Sequence, residues 1–202
     1  MKYAFVTLAL LAATSTPALG EVKAEAEDGF NIIHVATVNA TPDEIWRRLL
    51  SPKDYWNKAH SWSGSTAGFY IDAQANGCFC ELFQETDSNG QVKTVGSVEH
   101  MRVIFAQPGK VLRMQGALGP LQSEAVIGTL TVAIAPTKES TGTTVNCSYV
   151  VGGYMRYKVP EIEPAVDKVL GEQFKNMLSP FTAKEDEAPK SDGFRPDVEE
   201  IA

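Results

Sequence analysis

The feature that most constrains this chain is an amphipathic segment near its end, residues 160–178. Its apolar residues recur at helical spacing and form one broad stripe, while charged residues occupy the other side. Pro160 and Pro164 suit the first turn of a helix, where a missing N–H costs little. The segment therefore predicts a long helix that must bury its stripe against another layer. The stripe consists of Ile162, Val166, Val169, Leu170, Phe174, Met177 and Leu178.

Most of the chain before this helix predicts short strands. Alternating apolar residues and hairpin-type turns indicate strands at 29–40, 67–73, 77–84, 92–106, 110–116, 124–135 and 143–151. A capping box at 41–44 and a second start signal at 51–54 predict two short helices after the first strand. Short connections favour antiparallel pairing. We predict an α+β domain in which a curved antiparallel sheet of about seven strands carries the long helix across it.

The first residues predict an export signal. Lys2 precedes an apolar run, and Ala18-Leu19-Gly20 fits a small-residue cleavage site. The run is too short to span a bilayer. We expect a signal peptide at 1–20, a lead-in at 21–28 and one domain at 29–182. The protein should then be periplasmic or secreted, with no transmembrane segment after cleavage.

Charge is unevenly distributed along the chain, whose formal net charge is −7. Residues 183–202 carry seven acidic residues against three basic ones, with two prolines and no periodic apolar face. This composition predicts a disordered acidic tail. The chain has no basic patch, so we expect no nucleic acid partner.

The three cysteines allow more than one pattern. Cys78 and Cys80 lie in one predicted strand, where their Cβ atoms would be about 7 Å apart, beyond the ~4 Å span of a disulfide. A bridge from either one to Cys147 forms only if their strands meet. Buried free thiols are the interpretation we favour. A metal site from Cys78, Cys80 and His100 lacks the common zinc spacings, so we expect no metal.

Several segments are similar to a known superfamily. They are Gly77-Cys78-Phe79-Cys80-Glu81, Val98-Glu99-His100-Met101, Phe105-Ala106-Gln107-Pro108-Gly109-Lys110, Leu112-Arg113-Met114, Gly116-Ala117-Leu118-Gly119-Pro120-Leu121-Gln122 and Tyr149-Val150-Val151-Gly152-Gly153-Tyr154. With the order of elements, they resemble the START-like superfamily, and especially its bacterial branch described as polyketide-cyclase-like or SRPBCC. The resemblance covers about residues 30 to 180. It implies a helix-grip fold with a cavity between sheet and helix. Members bind lipids, hormones or polyketides and only some catalyse, so activity does not follow from the fold.

The predicted cavity has a set of candidate ligand-binding residues, drawn from the strands, the connecting loops and the last helix. They are Trp62, Phe79, Glu81, Met101, Val103, Phe105, Met114, Leu118, Leu130, Tyr149, Tyr154, Val166, Leu170 and Phe174. The apolar loop at 117–121 either gates the cavity or caps the core. No nucleotide-binding or nucleophile motif is present, and we expect no cofactor.

Glu81 and His60 are the candidate catalytic residues, because a cyclase or dehydratase needs an acid or base beside a buried carbonyl. Two-residue alternation leaves open whether the Phe79/Glu81 face or the Cys78/Cys80 face of this strand is the inward one.

Other ionisable residues have structural interpretations. His100 and Arg102 are predicted to face outward, opposite an apolar face. Arg113 is predicted to pair with Glu99 across two strands. His34 is expected to be a hydrogen-bonded core or edge histidine.

The leading functional prediction is binding of a small apolar or amphipathic molecule in an exported compartment, without catalysis. The alternative is an enzyme of the cyclase, dehydratase or isomerase type that acts in the same cavity. A third hypothesis is an interaction protein whose cavity is filled by its own side chains. An open apolar cavity separates the first two from the third.

Overall fold

A computed structural model describes residues 20–137 and 142–182 of the chain. The strands are β1 (Gly20–Ala26), β2 (Gly29–Val38), β3 (Phe69–Ile71), β4 (Cys78–Thr86), β5 (Val92–Gln107), β6 (Val111–Gly116), β7 (Ala125–Pro136) and β8 (Thr143–Tyr154). The helices are α1 (Pro42–Leu49) and α2 (Val159–Leu178), with 3-10 turns at Pro52–Asp54, Lys58–His60, Gly119–Ser123 and Ser179–Phe181. The predicted acidic tail and residues 1–19 of the predicted signal peptide lie outside the described residues.

All eight strands of the described ranges belong to one antiparallel sheet, in the order β1-β2-β8-β7-β6-β5-β4-β3. The long helix α2 packs on this sheet with the predicted apolar stripe buried. Val169, the partial exception, is half-buried. The architecture is the predicted α+β helix-grip fold. Within the described ranges, no helix is both long enough and apolar enough to cross a membrane.

The capping box forms as its sequence predicts. The Thr41 hydroxyl accepts the Glu44 N–H at 3.3 Å, and the Glu44 carboxylate accepts the Thr41 N–H at 2.8 Å. These bonds satisfy two amide groups that the start of α1 would otherwise leave unpaired. The helix is therefore held in place to bury Ile45, Trp46 and Leu49. The second predicted short helix is replaced by the two 3-10 turns that follow α1.

Residues 21–26 of the predicted lead-in form most of β1, which pairs along the edge of β2. The sequence GEVKAEA shows only weak alternation of apolar residues. An edge strand can nevertheless form there, because the free backbone groups of β2 are a ready partner for pairing.

A β-bulge in the pairing of β4 with β5 overturns the prediction for His100. The register steps from Phe79–Met101 to Cys80–Glu99, so His100 is an extra residue on β5. Both His100 and Met101 consequently face the interior, and His100 is 4% exposed. The prediction that His100 faces outward is therefore wrong, whereas Arg102 is exposed as expected.

Two predicted ligand-binding aromatics face solvent instead. A second bulge, in the pairing of β5 with β6, lies between Val103 and Phe105 and turns Phe105 outward, to 46% exposure. Tyr154 is 73% exposed, because the inward residues of β8 are the odd-numbered ones. The predicted inward position of Phe105 is therefore wrong, and Tyr154, a predicted ligand-binding residue, does not line the cavity described below.

The predicted pair of Arg113 with Glu99 is also replaced. The Glu99 carboxylate instead contacts the Arg102 guanidinium at 2.7 Å. Arg113 Nε donates to Thr131 Oγ1 on the neighbouring strand β7 at 2.9 Å. In the pairing of β5 with β6, Arg113 lies opposite Phe105, six residues from Glu99, which lies opposite Cys80 of β4.

The cysteine pattern differs from both alternatives considered above. A disulfide joins Cys78 to Cys80, and Cys147 is buried and free. The Cα atoms of the bridged pair are 5.4 Å apart, whereas alternate residues of a regular strand lie about 6.6 Å apart. The backbone between the two cysteines is therefore shorter than that of a regular strand, at the point where the bulge interrupts the pairing of β4 with β5. Burial raises the pKa of the Cys147 thiol to about 12, so this thiol should be unreactive in the folded protein.

We expect thiol titration with Ellman's reagent to distinguish these patterns. The folded, unreduced protein should not react, and unfolding without reductant should expose a single thiol, that of Cys147. The Cys147→Ala variant, unfolded without reductant, should show none. Two thiols in that variant, together with one in the unfolded unmodified protein, would place Cys147 in the disulfide, and three thiols in the unmodified protein would show that all three cysteines are reduced.

Candidate ligand-binding cavity

A cavity of about 350 Å³ lies between α2 and the sheet. Three parts of the chain surround it: the loop after α1, the loop between β6 and β7, and the first half of α2. On the sheet side, His100 lines the cavity. The lining residues are Trp56, His60, Ser61, Trp62, His100, Leu118, Gly119, Pro120, Ile162, Ala165, Val166, Val169 and Leu170.

The structure places the predicted ligand-binding residues in three groups. Trp62, Leu118, Val166 and Leu170 line the cavity, as does His60, a catalytic candidate. A second group is buried in the core and does not line the cavity: Phe79, Glu81, Met101, Val103, Met114, Leu130, Tyr149 and Phe174. The third group, Phe105 and Tyr154, faces solvent.

Sequence reasoning missed several lining residues. Ile162 and Val169 belong to the predicted stripe of α2 and could have been included on that ground. Trp56 follows the 3-10 turn after α1. At that position the sequence does not distinguish an apolar residue that lines a cavity from one that is packed in the core. His100 gave no signal, because its inward direction depends on the bulge opposite β4.

Glu81 is the fully buried carboxylate beside this cavity, with 0% exposure. The Phe79/Glu81 face of β4 is thus the inward one. The two carboxylate oxygens accept the backbone N–H of Ser63 at 2.6 Å and of Trp62 at 3.1 Å. One of them, Oε2, also lies 3.1 Å from Nε2 of His100. Glu81 therefore joins the loop after α1 to the imidazole of His100.

The His100 ring is fixed by aromatic neighbours. It stacks on Phe69 with ring centroids 5.2 Å apart and packs against Phe79 at 5.0 Å. Burial lowers the pKa of His100, and the charge and hydrogen bond of Glu81 oppose this shift only in part. The ring is consequently neutral at neutral pH and held in one orientation.

At the mouth of the cavity, His60 is attached to α2. Its Nε2 lies 3.3 Å from the carboxylate of Glu172, which also accepts a hydrogen bond from Asn57 Nδ2. The indole N–H of Trp56 donates to the His60 carbonyl at 3.0 Å. These contacts fasten the loop after α1 onto the helix and leave the Trp62 side chain, 57% exposed, at the rim.

The apolar loop between β6 and β7 both caps the core and lines the cavity. Leu121 is fully buried, whereas Leu118, Gly119 and Pro120 face the cavity. The Leu118 N–H donates to the hydroxyl of Tyr149 at 3.3 Å. Tyr149 fits beneath it because residue 128 is glycine, where a Cβ would lie 2.4 Å from the tyrosine ring.

His34 is buried, as expected, but away from the cavity. Its Nε2 lies 3.2 Å from Oδ1 of Asp167, without the geometry of a hydrogen bond, and its ring stacks on Phe174. Burial lowers the pKa of His34, and Asp167 opposes the shift. His34 is therefore part of the packing between β2 and α2.

The possible metal ligands considered in the sequence do not assemble as a set. His100 pairs with Glu81, and Cys78 and Cys80 instead lie near Glu99, with ligand atoms within 4.8 Å of one another. The disulfide removes both thiolates as ligands in this redox state.

Comparisons with known proteins support the fold and no specific function. No protein-family model matches the chain, and no curated protein is similar in sequence. A solved structure of an uncharacterised protein from Rhizobium leguminosarum is similar at a TM-score of 0.50 and 15% identity, covering 79% of this chain and 95% of that one. MLL2253 from Mesorhizobium loti gives a TM-score of 0.47 at 14% identity, covering 74% and 94%.

CalU16 from Micromonospora echinospora gives a TM-score of 0.39 at 12% identity, covering 79% of this chain and 84% of that one. Identities at this level show shared architecture alone. The fold and the cavity define the class: a helix-grip domain with a largely apolar cavity beneath its long helix.

The buried histidines predict how stability depends on pH. Because burial lowers the pKa of His100 and His34, the unfolded chain binds these protons first as pH falls below about 6.5. The free energy of unfolding should therefore decrease, by up to about 1.4 kcal/mol per pH unit for each proton. Urea unfolding between about pH 7.5 and pH 5 should show a shallower decrease in His100→Phe, which retains His34. Equal slopes in the two proteins would contradict the assignment.

Proposed function

We propose that the protein binds a small apolar or amphipathic molecule in the cavity between α2 and the sheet. The observation that carries this proposal is the cavity itself, about 350 Å³ in volume and lined mainly by apolar side chains. Small-molecule sites typically measure about 300–1,000 Å³ and combine apolar walls with a few polar groups. The resemblance of the sequence to START-like proteins supports the same function. The predicted signal peptide adds that binding takes place after export.

The cavity argues against the hypothesis of an interaction protein with a filled core. Such a protein would need side chains that occupy the space beneath α2. Ile162, Ala165 and Val169 line that space without filling it. A cavity of this size leaves its walls without packing partners, which costs stability unless a ligand occupies it.

An enzyme of the cyclase, dehydratase or isomerase type is a second candidate, favoured by the pair of His100 and Glu81. A neutral imidazole at the cavity wall can accept a proton from a bound substrate, and a carboxylate behind it stabilises the resulting imidazolium. Glu81 itself does not line the cavity. Its part in such an enzyme is to orient His100, and the direct proton acceptor is the histidine.

A tryptophan placed inside the cavity tests the binding proposal. The probe is N-phenyl-1-naphthylamine, an uncharged dye whose fluorescence rises in apolar sites. We expect Val166→Trp to lower its affinity at least about tenfold, because the indole would occupy the space of the ligand. Lys168→Trp, on the exposed side of the same helix, is the matched control and should bind as the unmodified protein does.

Circular dichroism and thermal unfolding would confirm that both variants fold. Excess side-chain volume in a full core typically costs about 1–3 kcal/mol, but here the indole has space to enter. Equal probe affinity in a folded Val166→Trp variant and the unmodified protein would place the binding site elsewhere.

A further inference from the structure

His100 offers the cavity a hydrogen-bonding group that the protein does not use. Nε2 faces Glu81, while Nδ1 makes no hydrogen bond to any residue in ranges 20–137 and 142–182. Nδ1 is nevertheless accessible to solvent, since it is not one of the buried polar atoms of the described ranges that lack a partner. Since the residue is 4% exposed and lines the cavity, the cavity is the route by which this atom can be reached.

Glu81 determines which of the two ring nitrogens carries the proton. Its oxygens accept the backbone N–H groups of Trp62 and Ser63, and an ionised carboxylate has no hydrogen of its own to donate. Nε2 of His100 must then supply the hydrogen of the bond between them. In a neutral imidazole the other nitrogen is unprotonated. Nδ1 is consequently a hydrogen-bond acceptor.

The other polar groups of the cavity are engaged or lie at its rim. The imidazole of His60 contacts Glu172, the hydroxyl of Ser61 donates to the Lys58 carbonyl, and the indole of Trp56 donates to the His60 carbonyl. The lining residues include no lysine, arginine, aspartate or glutamate. A charged ligand group would therefore lose its hydration without gaining an ion pair. A neutral hydrogen-bond donor loses much less hydration free energy when it enters the cavity.

We propose that His100 is the polar anchor of the cavity and selects ligands with a neutral hydrogen-bond donor, such as a hydroxyl group, which donates to Nδ1. Glu81 is the positioning residue that fixes the tautomer. The aromatic and aliphatic walls hold the apolar body of the ligand, and the single acceptor sets its orientation. This inference rests on the proposed function, because it names the ligand class for the same cavity.

Two near-isosteric probes test the inference. 2-Naphthol carries a hydroxyl donor, and 2-methylnaphthalene carries a methyl group at the same position. The measured quantity is the ratio of their dissociation constants, methyl compound over hydroxyl compound, at pH 7. We expect His100→Phe to lower this ratio about three- to tenfold, the effect of losing one hydrogen bond between neutral groups. The affinity for 2-methylnaphthalene should change little, because phenylalanine preserves the size of the ring.

A second measurement does not depend on how well that variant folds. The ¹⁵N chemical shifts of the His100 ring in the unmodified protein should show a protonated Nε2 and an unprotonated Nδ1 at pH 7. Addition of 2-naphthol should shift the Nδ1 resonance, whereas 2-methylnaphthalene should shift it much less. Glu81→Gln should populate both tautomers and reduce the probe ratio, because an amide can either donate to or accept from Nε2.

The outcomes separate this inference from the proposed function. If both probes bind, Val166→Trp blocks both and His100→Phe leaves their ratio unchanged, the cavity binds ligands but His100 is not the anchor. A protonated Nδ1 in the unmodified protein would likewise overturn the inference alone. If neither probe binds the unmodified protein up to its solubility limit, the inference and the proposed function both fail.

Discussion

The burial of the Glu81 carboxylate is the constraint on which the cavity end of the molecule depends. Removing a carboxylate from water costs several kcal/mol unless its oxygens are well satisfied. Here two consecutive amides of the loop after α1 and the imidazole of His100 satisfy them. Each of these donors can reach Glu81 only if its own segment is correctly placed. The charge therefore stabilises one arrangement of the strand, the loop and the histidine together.

The bulge opposite β4 makes this arrangement possible. In a regular antiparallel pair, His100 and Met101 would face opposite sides of the sheet. The extra residue lets both side chains enter the interior, so the hydrophobic wall and the polar group come from adjacent positions. Bulges frequently occur beside functional sites, where they direct a side chain. The same bulge accompanies the close approach of Cys78 and Cys80, whose disulfide stands directly beside Glu81 in the chain.

Local patterns explain what could be predicted from the sequence. The stripe of α2 and the capping box of α1 depend on residues within one or two turns, and both form as expected. The inward direction of His100 and the outward direction of Phe105 depend instead on register with a partner strand. A single inserted residue reverses a two-residue alternation, and no local pattern marks these insertions. The hydrogen-bonded pair of Glu81 and His100 could not be predicted, because it depends on the inserted residue that turns His100 inward.

The position of the cavity follows from how closely α2 approaches the sheet along its length. Gly171, in the second half of α2, allows a close approach, because a Cβ there would lie 2.9 Å from the His34 ring. Beyond it, Phe174, Met177 and Leu178 are buried in the core. Before Gly171, five residues of α2 line the cavity instead: Ile162, Ala165, Val166, Val169 and Leu170. One half of the helix thus holds the sheet tightly, and the other half can leave space above His100 without releasing the fold.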